Sequence, residues 1–190
     1  MPKKRNVRKL RFRPPLPRRA IVWFPTMPAD SKIESFRARH DPLATTLPAH
    51  VTLVFPFPTN LTSTQWASHI KRIVGNWPQL PVSFRDIEAI QGEFTILMLR
   101  EKCEAVIALH DKLYSGVLKA FLRTEIEYRP HITVGRVTGS PWVSPFEAMH
   151  DAATREIRGE WRAVMRELAI VTLHQDGTIT IDKTIPLNFA

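Results

Sequence analysis

A chain of 190 residues with 44% hydrophobic content is long enough to bury its own core and short enough for one domain. Its net charge of +9 points to an acidic partner. The single cysteine, Cys103, excludes an intrachain disulfide and any multi-cysteine metal site, which fits a reducing compartment, the cytoplasm by default, and no apolar run is long enough for a membrane span.

The charge is unevenly placed. Lys3, Lys4, Arg5, Arg8, Lys9, Arg11, Arg13, Arg18 and Arg19 all precede the first acidic residue, and the other 18 basic residues are balanced by 18 acids. Residues 1–19 therefore read as a basic, Pro-containing disordered arm ahead of a neutral body from 20 to 190. An arm of this kind attracts phosphodiester backbones by counterion release without reading sequence, so it is expected to contact nucleic acid or to serve as a solubilising tail.

The body begins with a strand at 20–24. Ser31-x-x-Glu34 has the spacing of a capping box and starts a short helix that His40-Asp41-Pro42 ends. A strand at about 50–57 stops at Pro56 and Pro58. Thr62-x-x-Gln65 opens the next helix, with Trp66, Ile70, Ile73, Val74 and Trp77 at helical spacing up to Pro78. Strands at 82–90 and 94–99 meet in a hairpin turn at Gln91-Gly92. One long helix is expected over about 104–122, with Val106, Leu109, Leu113, Val117 and Phe121 as its buried stripe. A strand from His131 follows, then a helix signalled by Ser144-Pro145-x-Glu147 and running to about 158. Strands at about 163–173 and 178–181 join at Asp176-Gly177.

Within this order one pattern occurs twice. His50-Val51-Thr52-Leu53-Val54-Phe55 returns as His131-Ile132-Thr133-Val134-Gly135-Arg136. On a strand, alternate side chains share a face, so each copy places an imidazole beside a hydroxyl on one side and an apolar stripe on the other. The elements around the two copies also match. The whole reads as an α+β fold built from a duplicated strand-helix-strand-helix-strand unit. Two pseudo-twofold lobes, at about 20–90 and 91–190 and able to exchange strands, would line a central cleft with antiparallel sheets and keep their helices outside. Two facing imidazoles suit in-line displacement at phosphorus, where one oxygen loses a proton as the opposite one gains it. Thr52 and Thr133 would donate hydrogen bonds to the non-bridging oxygens, where charge gathers.

The paired His-Val-Thr-Leu and His-Ile-Thr-Val stretches resemble the two signature motifs of the 2H phosphoesterase superfamily. The longer match looks like its 2'-5' RNA ligase / RNA 2',3'-cyclic phosphodiesterase branch, over roughly residues 20–187. The resemblance implies that His50, Thr52, His131 and Thr133 form the catalytic set, with no metal or nucleotide cofactor. It also implies substrates that are 2',3'-cyclic phosphates or 2'-5' linkages in RNA or nucleotides, and a displacement that reverses as ligation. Val134 stands where the family commonly has leucine.

Arg136 and Arg129 are candidate phosphate clamps. Strict alternation points Arg136 away from the cleft unless a bulge at Gly135 turns it inward, whereas Arg129 has the right parity already. Tyr128 or Trp142 would stack on a base. Phe55 is expected in the core. His40, His69, His110, His150 and His174 lack a pairing and read as structural, with no His-x-x-x-His spacing for zinc. A monomer acting on RNA or a nucleotide with a 2',3'-cyclic phosphate is the leading expectation. The alternatives are a 2H enzyme for 2'-5' oligoadenylate or another cyclic nucleotide-like phosphate, and an RNA-end-binding module that does not hydrolyse.

Overall fold

The computed structural model describes residues 16–26, 31–137 and 145–188. Its elements are β1 (Arg18–Trp23), α1 (Lys32–His40), β2 (Val51–Pro58), α2 (Ser63–Val74), β3 (Leu80–Ile90), β4 (Phe94–Glu101), α3 (Cys103–Leu113), β5 (His131–Arg136), α4 (Pro145–Glu156), β6 (Trp161–Met165), β7 (Glu167–Leu173) and β8 (Ile179–Pro186). The strands form one eight-stranded antiparallel sheet in the order β6-β3-β4-β5-β2-β1-β7-β8. Its two halves meet where β2 touches β5 through a single residue pair, Val51 opposite Ile132. The fold is the α+β arrangement expected from the duplication.

Local chemistry sets the helix ends. Ser31 accepts from the Glu34 amide at 3.2 Å, and Thr62 with Gln65 forms both halves of a capping box. At the β3–β4 turn, Gln91 and Gly92 both take positive φ, 54° and 66°, as a tight hairpin of right-handed twist requires. The helices share one face of the sheet. Phe36, Trp66, Ile70, Val106, Leu109, Met149 and Ala153 pack there against Trp23, Val51, Leu53, Leu97, Ile132 and Val134. Apolar residues of the strands thus face the helices, and His/Thr positions face the other way.

The helices also interlock the halves. By chain order α1 links β1 to β2, yet it packs on β5. Conversely, α3 links β4 to β5 and packs on β2.

Three expectations are corrected. Arg18 and Arg19, assigned to the basic arm, open β1: Arg18 donates to the Pro56 carbonyl, while Arg19 donates to the Leu61 carbonyl and pairs with Asp182. Both are paired through their backbones with β2 and β7, so they belong to the sheet whatever their charge. The long helix breaks at Leu113, because His69 donates Nε2–H to the Leu113 carbonyl and Gly116 turns left-handed at φ 53°. A short 3₁₀ helix, Gly116–Phe121, then buries Leu118 and leaves Val117 51% exposed. Finally, the expected strand at 163–173 is two strands parted at Arg166: β6 is one edge of the sheet and β7 lies in the opposite half, between β1 and the other edge strand, β8. The core-facing residues change parity there, from Met165 to Leu168. Ser144 and Trp142 lie outside the described residues.

Candidate active site

The two imidazoles are held in the same way. His50 donates Nδ1–H to the Pro48 carbonyl at 2.9 Å, and His131 donates Nδ1–H to the Arg129 carbonyl at 2.5 Å. A carbonyl oxygen only accepts, so each Nδ1 carries the hydrogen. The working atom of each ring is then Nε2, which no described protein group takes. That one local bond, to the residue two before the histidine, fixes both tautomer and ring orientation.

Register brings the two motifs together. One residue to either side of the Val51–Ile132 pair, the same register sets Thr52 across from His131 and His50 across from Thr133. The four side chains occupy one patch on the face away from the helices, with the histidines at opposite corners. All four are partly open, whereas Val51, Leu53, Ile132 and Val134 between them are buried.

Each motif strand carries a bulge three residues after its histidine. In β2, Ile21 pairs with Val54 and Val22 with Thr52, which leaves Leu53 extra. In β5, Thr95 pairs with Gly135 and Ile96 with Thr133, which leaves Val134 extra. The bulge shifts the alternation by one, so Arg136 lies across from Phe94 on the His/Thr side, its guanidinium 4.9 Å from the centre of that ring. Gly135 is required by close packing. A Cβ there would stand 2.6 Å from the Met149 sulfur and 3.3 Å from the His40 Cβ.

Burial lowers the pKa of both histidines below the ordinary 6.5. The main-chain bonds oppose that shift, while neighbouring cations reinforce it: Arg37 and His131 act on His50, and Arg129 acts on His131. Asp41 partly restores the proton on His50. The pair therefore favours neutral rings near pH 7, each ready to accept a proton.

A family model described as the 2'-5' RNA ligase superfamily matches residues 24–177, a span that contains both motifs. The chain belongs to that superfamily. Relatives from Geobacillus thermodenitrificans and Bacillus licheniformis, each bearing the name "Putative phosphoesterase", are 29% identical over 118 and 124 residues. These matches cover 61% of this chain and 67% and 69% of theirs. The fold is also that of E. coli LigT. Its crystal structure complexed with 3'-AMP aligns at a TM-score of 0.56 and 19% identity, over 90% of this chain and 99% of that one. Its complex with ATP aligns at 0.52 and 20%, with the same coverage.

Around the superfamily's paired motifs, the other anticipated residues take distinct places. Arg129 pairs with Glu88, which also accepts from Arg100 at 2.6 Å, while Arg100 reaches Asp86 at 2.8 Å. Tyr128 lies flat on His110, ring centres 3.6 Å apart, and its hydroxyl donates to the Thr52 carbonyl at 3.0 Å. One of its faces is thus already stacked within the protein. Phe55 is half-buried and edge-on to His110 and Tyr128.

Two supports were not anticipated from sequence. Arg37 is fully buried and joins Asp41 at 2.7 Å, Glu34 at 3.0 Å and the Leu47 carbonyl at 3.0 Å, while Glu34 also accepts from the Ala49 amide at 2.7 Å. This cluster holds the loop that delivers His50. The second is His110, read as structural, which bonds the His50 strand directly at the Leu53 carbonyl. Its signal lay in the helical spacing, since His110 and Tyr114 sit one turn apart on the face that also carries Val106 and Leu113. Among the described residues there is no group of three or more His, Cys, Asp or Glu placed to hold a metal ion, and no helix long and apolar enough to cross a membrane.

Proposed function

We propose that the chain is a phosphodiesterase that opens 2',3'-cyclic phosphate ends of RNA or nucleotides by two-histidine acid–base catalysis. The observation that carries this reading is the matched pair of Nδ1 hydrogen bonds, which presents two Nε2 atoms beside two threonine hydroxyls on one face. A neutral ring takes a proton from the attacking water as its oxygen bonds to phosphorus. The protonated partner gives its proton to the ribose oxygen as the P–O bond breaks. Thr52 and Thr133 donate to the non-bridging oxygens as their charge grows, and this proton exchange needs no metal. With the 5'-hydroxyl of a second strand in place of water, the same displacement opens the cyclic phosphate onto that oxygen, releases the protonated 3'-hydroxyl and leaves a 2'-5' linkage.

Arg136 and Arg129 complete the proposal as phosphate ligands, because both flank the histidines on the His/Thr face and bring fixed positive charge. The seven basic residues before Arg18 support a polynucleotide over a mononucleotide as partner, adding affinity that salt weakens.

The deciding test is hydrolysis of cytidine 2',3'-cyclic phosphate, and of a short RNA with that end, in EDTA. Wild type is expected to turn over both, and the His50→Ala/His131→Ala double variant neither. Turnover by the double variant would overturn the mechanism. Inertness of the wild type together with tight RNA-end binding would make the cleft a recognition site.

A further inference from the structure

The junction between the two half-sheets is almost without a ladder. A single residue pair joins β2 to β5, so very little main-chain bonding fixes how far apart the two His/Thr strands stand. A bulge at Leu53 also interrupts the β1 ladder on the opposite edge of the same strand, so main-chain bonding is irregular on both sides of β2 there. Buried main-chain polar groups are seldom left unpaired, so those of β2 need partners from elsewhere.

The partners come from the other half of the chain. His110 on α3 donates Nδ1–H to the Leu53 carbonyl at 2.7 Å. Tyr128, just before β5, donates its hydroxyl to the Thr52 carbonyl at 3.0 Å. The Phe55 amide donates to the Tyr114 hydroxyl at 2.9 Å. These three side chains form one stack: His110 is flat on Tyr128 and edge-on to Tyr114 at 5.0 Å. His110 and Tyr114 are buried, so their bonds are shielded from water.

We propose that His110, Tyr114 and Tyr128 are positioning residues that set the separation of His50 and Thr52 from His131 and Thr133. α3 and the segment before β5 are covalently continuous with the His131 strand, and their side chains grip the main chain of the His50 strand. The trio is therefore a spacer between the two halves of the reaction centre. In-line displacement needs the two imidazoles on opposite sides of one phosphorus, so their separation governs the chemical step more than substrate affinity. This inference rests on the proposed function for its kinetic readout but not for its geometry.

The test keeps the rings and removes the hydrogen bonds, as in His110→Phe/Tyr128→Phe, alongside single Tyr128→Phe and His110→Gln, whose amide can still donate. On cytidine 2',3'-cyclic phosphate, the double variant is expected to lose about 10- to 100-fold in kcat with KM nearly constant. Tyr128→Phe, and His110→Gln with its remaining donor for the Leu53 carbonyl, should each lose less than the double variant. Unchanged kcat in a folded double variant, whatever its melting temperature, would overturn the proposal. If the double variant does not fold, Tyr128→Phe alone decides, through the same kcat. Imidazole titration by NMR separates this idea from the function itself. If wild type hydrolyses nothing, an upward move of the His50 titration in Tyr128→Phe, as its neighbour His131 recedes, still supports the spacer. An unmoved titration in that case refutes it.

Discussion

β2 and β5 carry the same motif, the same bulge three residues after the histidine and the same main-chain bond on each Nδ1, yet their surroundings have diverged. Behind His50 stands a fully buried arginine, Arg37, enclosed by Asp41, Glu34 and the Leu47 carbonyl. Beside His131 stands Arg129, 35% exposed, in a chain of partners that runs through Glu88 and Arg100 to Asp86. Five residues after the histidine, one strand has Phe55 against its own protein and the other has Arg136 on the open face. The repeated backbone holds two imidazoles in the same way. The side chains around them enclose one strand within the protein and line the other with charge on its open face.

The strongest way to test the equivalence is to remove each imidazole in turn. His50→Ala and His131→Ala should each lower turnover by at least about 10²-fold, with melting temperature nearly unchanged, because both transfers occur in one displacement. A large loss in only one would break the symmetry of roles. Arg37→Met and Arg129→Met probe the difference. The first strands buried Asp41 without its partner and should cost about 3–5 kcal/mol in denaturant unfolding. The second loosens a partly exposed pair worth about 1 kcal/mol or less, but it removes a cation that disfavours protonation of His131, so that ring's limb of the pH–rate profile should move to higher pH.

A weaker effect bears on both strands together. Burial lowers the pKa of His50, His131, His110 and His40 in the folded protein. The unfolded chain therefore binds these protons more readily, so stability is complete above the ordinary value of 6.5 and declines as pH falls below it. Urea midpoints between pH 7.5 and 5 should fall accordingly, and the fall should be shallower in His50→Ala. The smallest effect concerns what lies outside both strands. Deleting residues 1–15 should leave turnover of a cyclic mononucleotide intact and flatten the salt dependence of RNA binding.

Much of this was legible in the sequence because it rests on local rules. Period-two alternation placed the His/Thr faces, and Ser31, Thr62 and Gln91-Gly92 marked caps and a turn that depend only on near neighbours. The bulge that turns Arg136 was readable as a possibility from Gly135. What escaped depends on distant partners. Arg37 sits among charges that look like an ordinary exposed helix until Leu47 and Ala49 fold back onto it. The break at Arg166 was masked because β7 is apolar on both faces: Leu168 and Ile170 join the main core, while Ala169 and Val171 join a small second cluster with Ala20, Val22 and Leu47. A strand buried on both sides shows no alternation from which to read a change of parity.

That break has a consequence for how the protein is made. β3, β4 and β5 are neighbours in the sheet and complete by residue 136, whereas β1 must wait for β7, roughly 150 residues later in the chain. During vectorial synthesis the His131 strand can find its place early, while β1 lacks its outer neighbour until β7 has been made. A chain stopped near residue 160 would keep both histidines and both threonines but expose the apolar edge of β1, a template for aggregation. The His50 half of the sheet is thus sealed last, once β7 and β8 have been made.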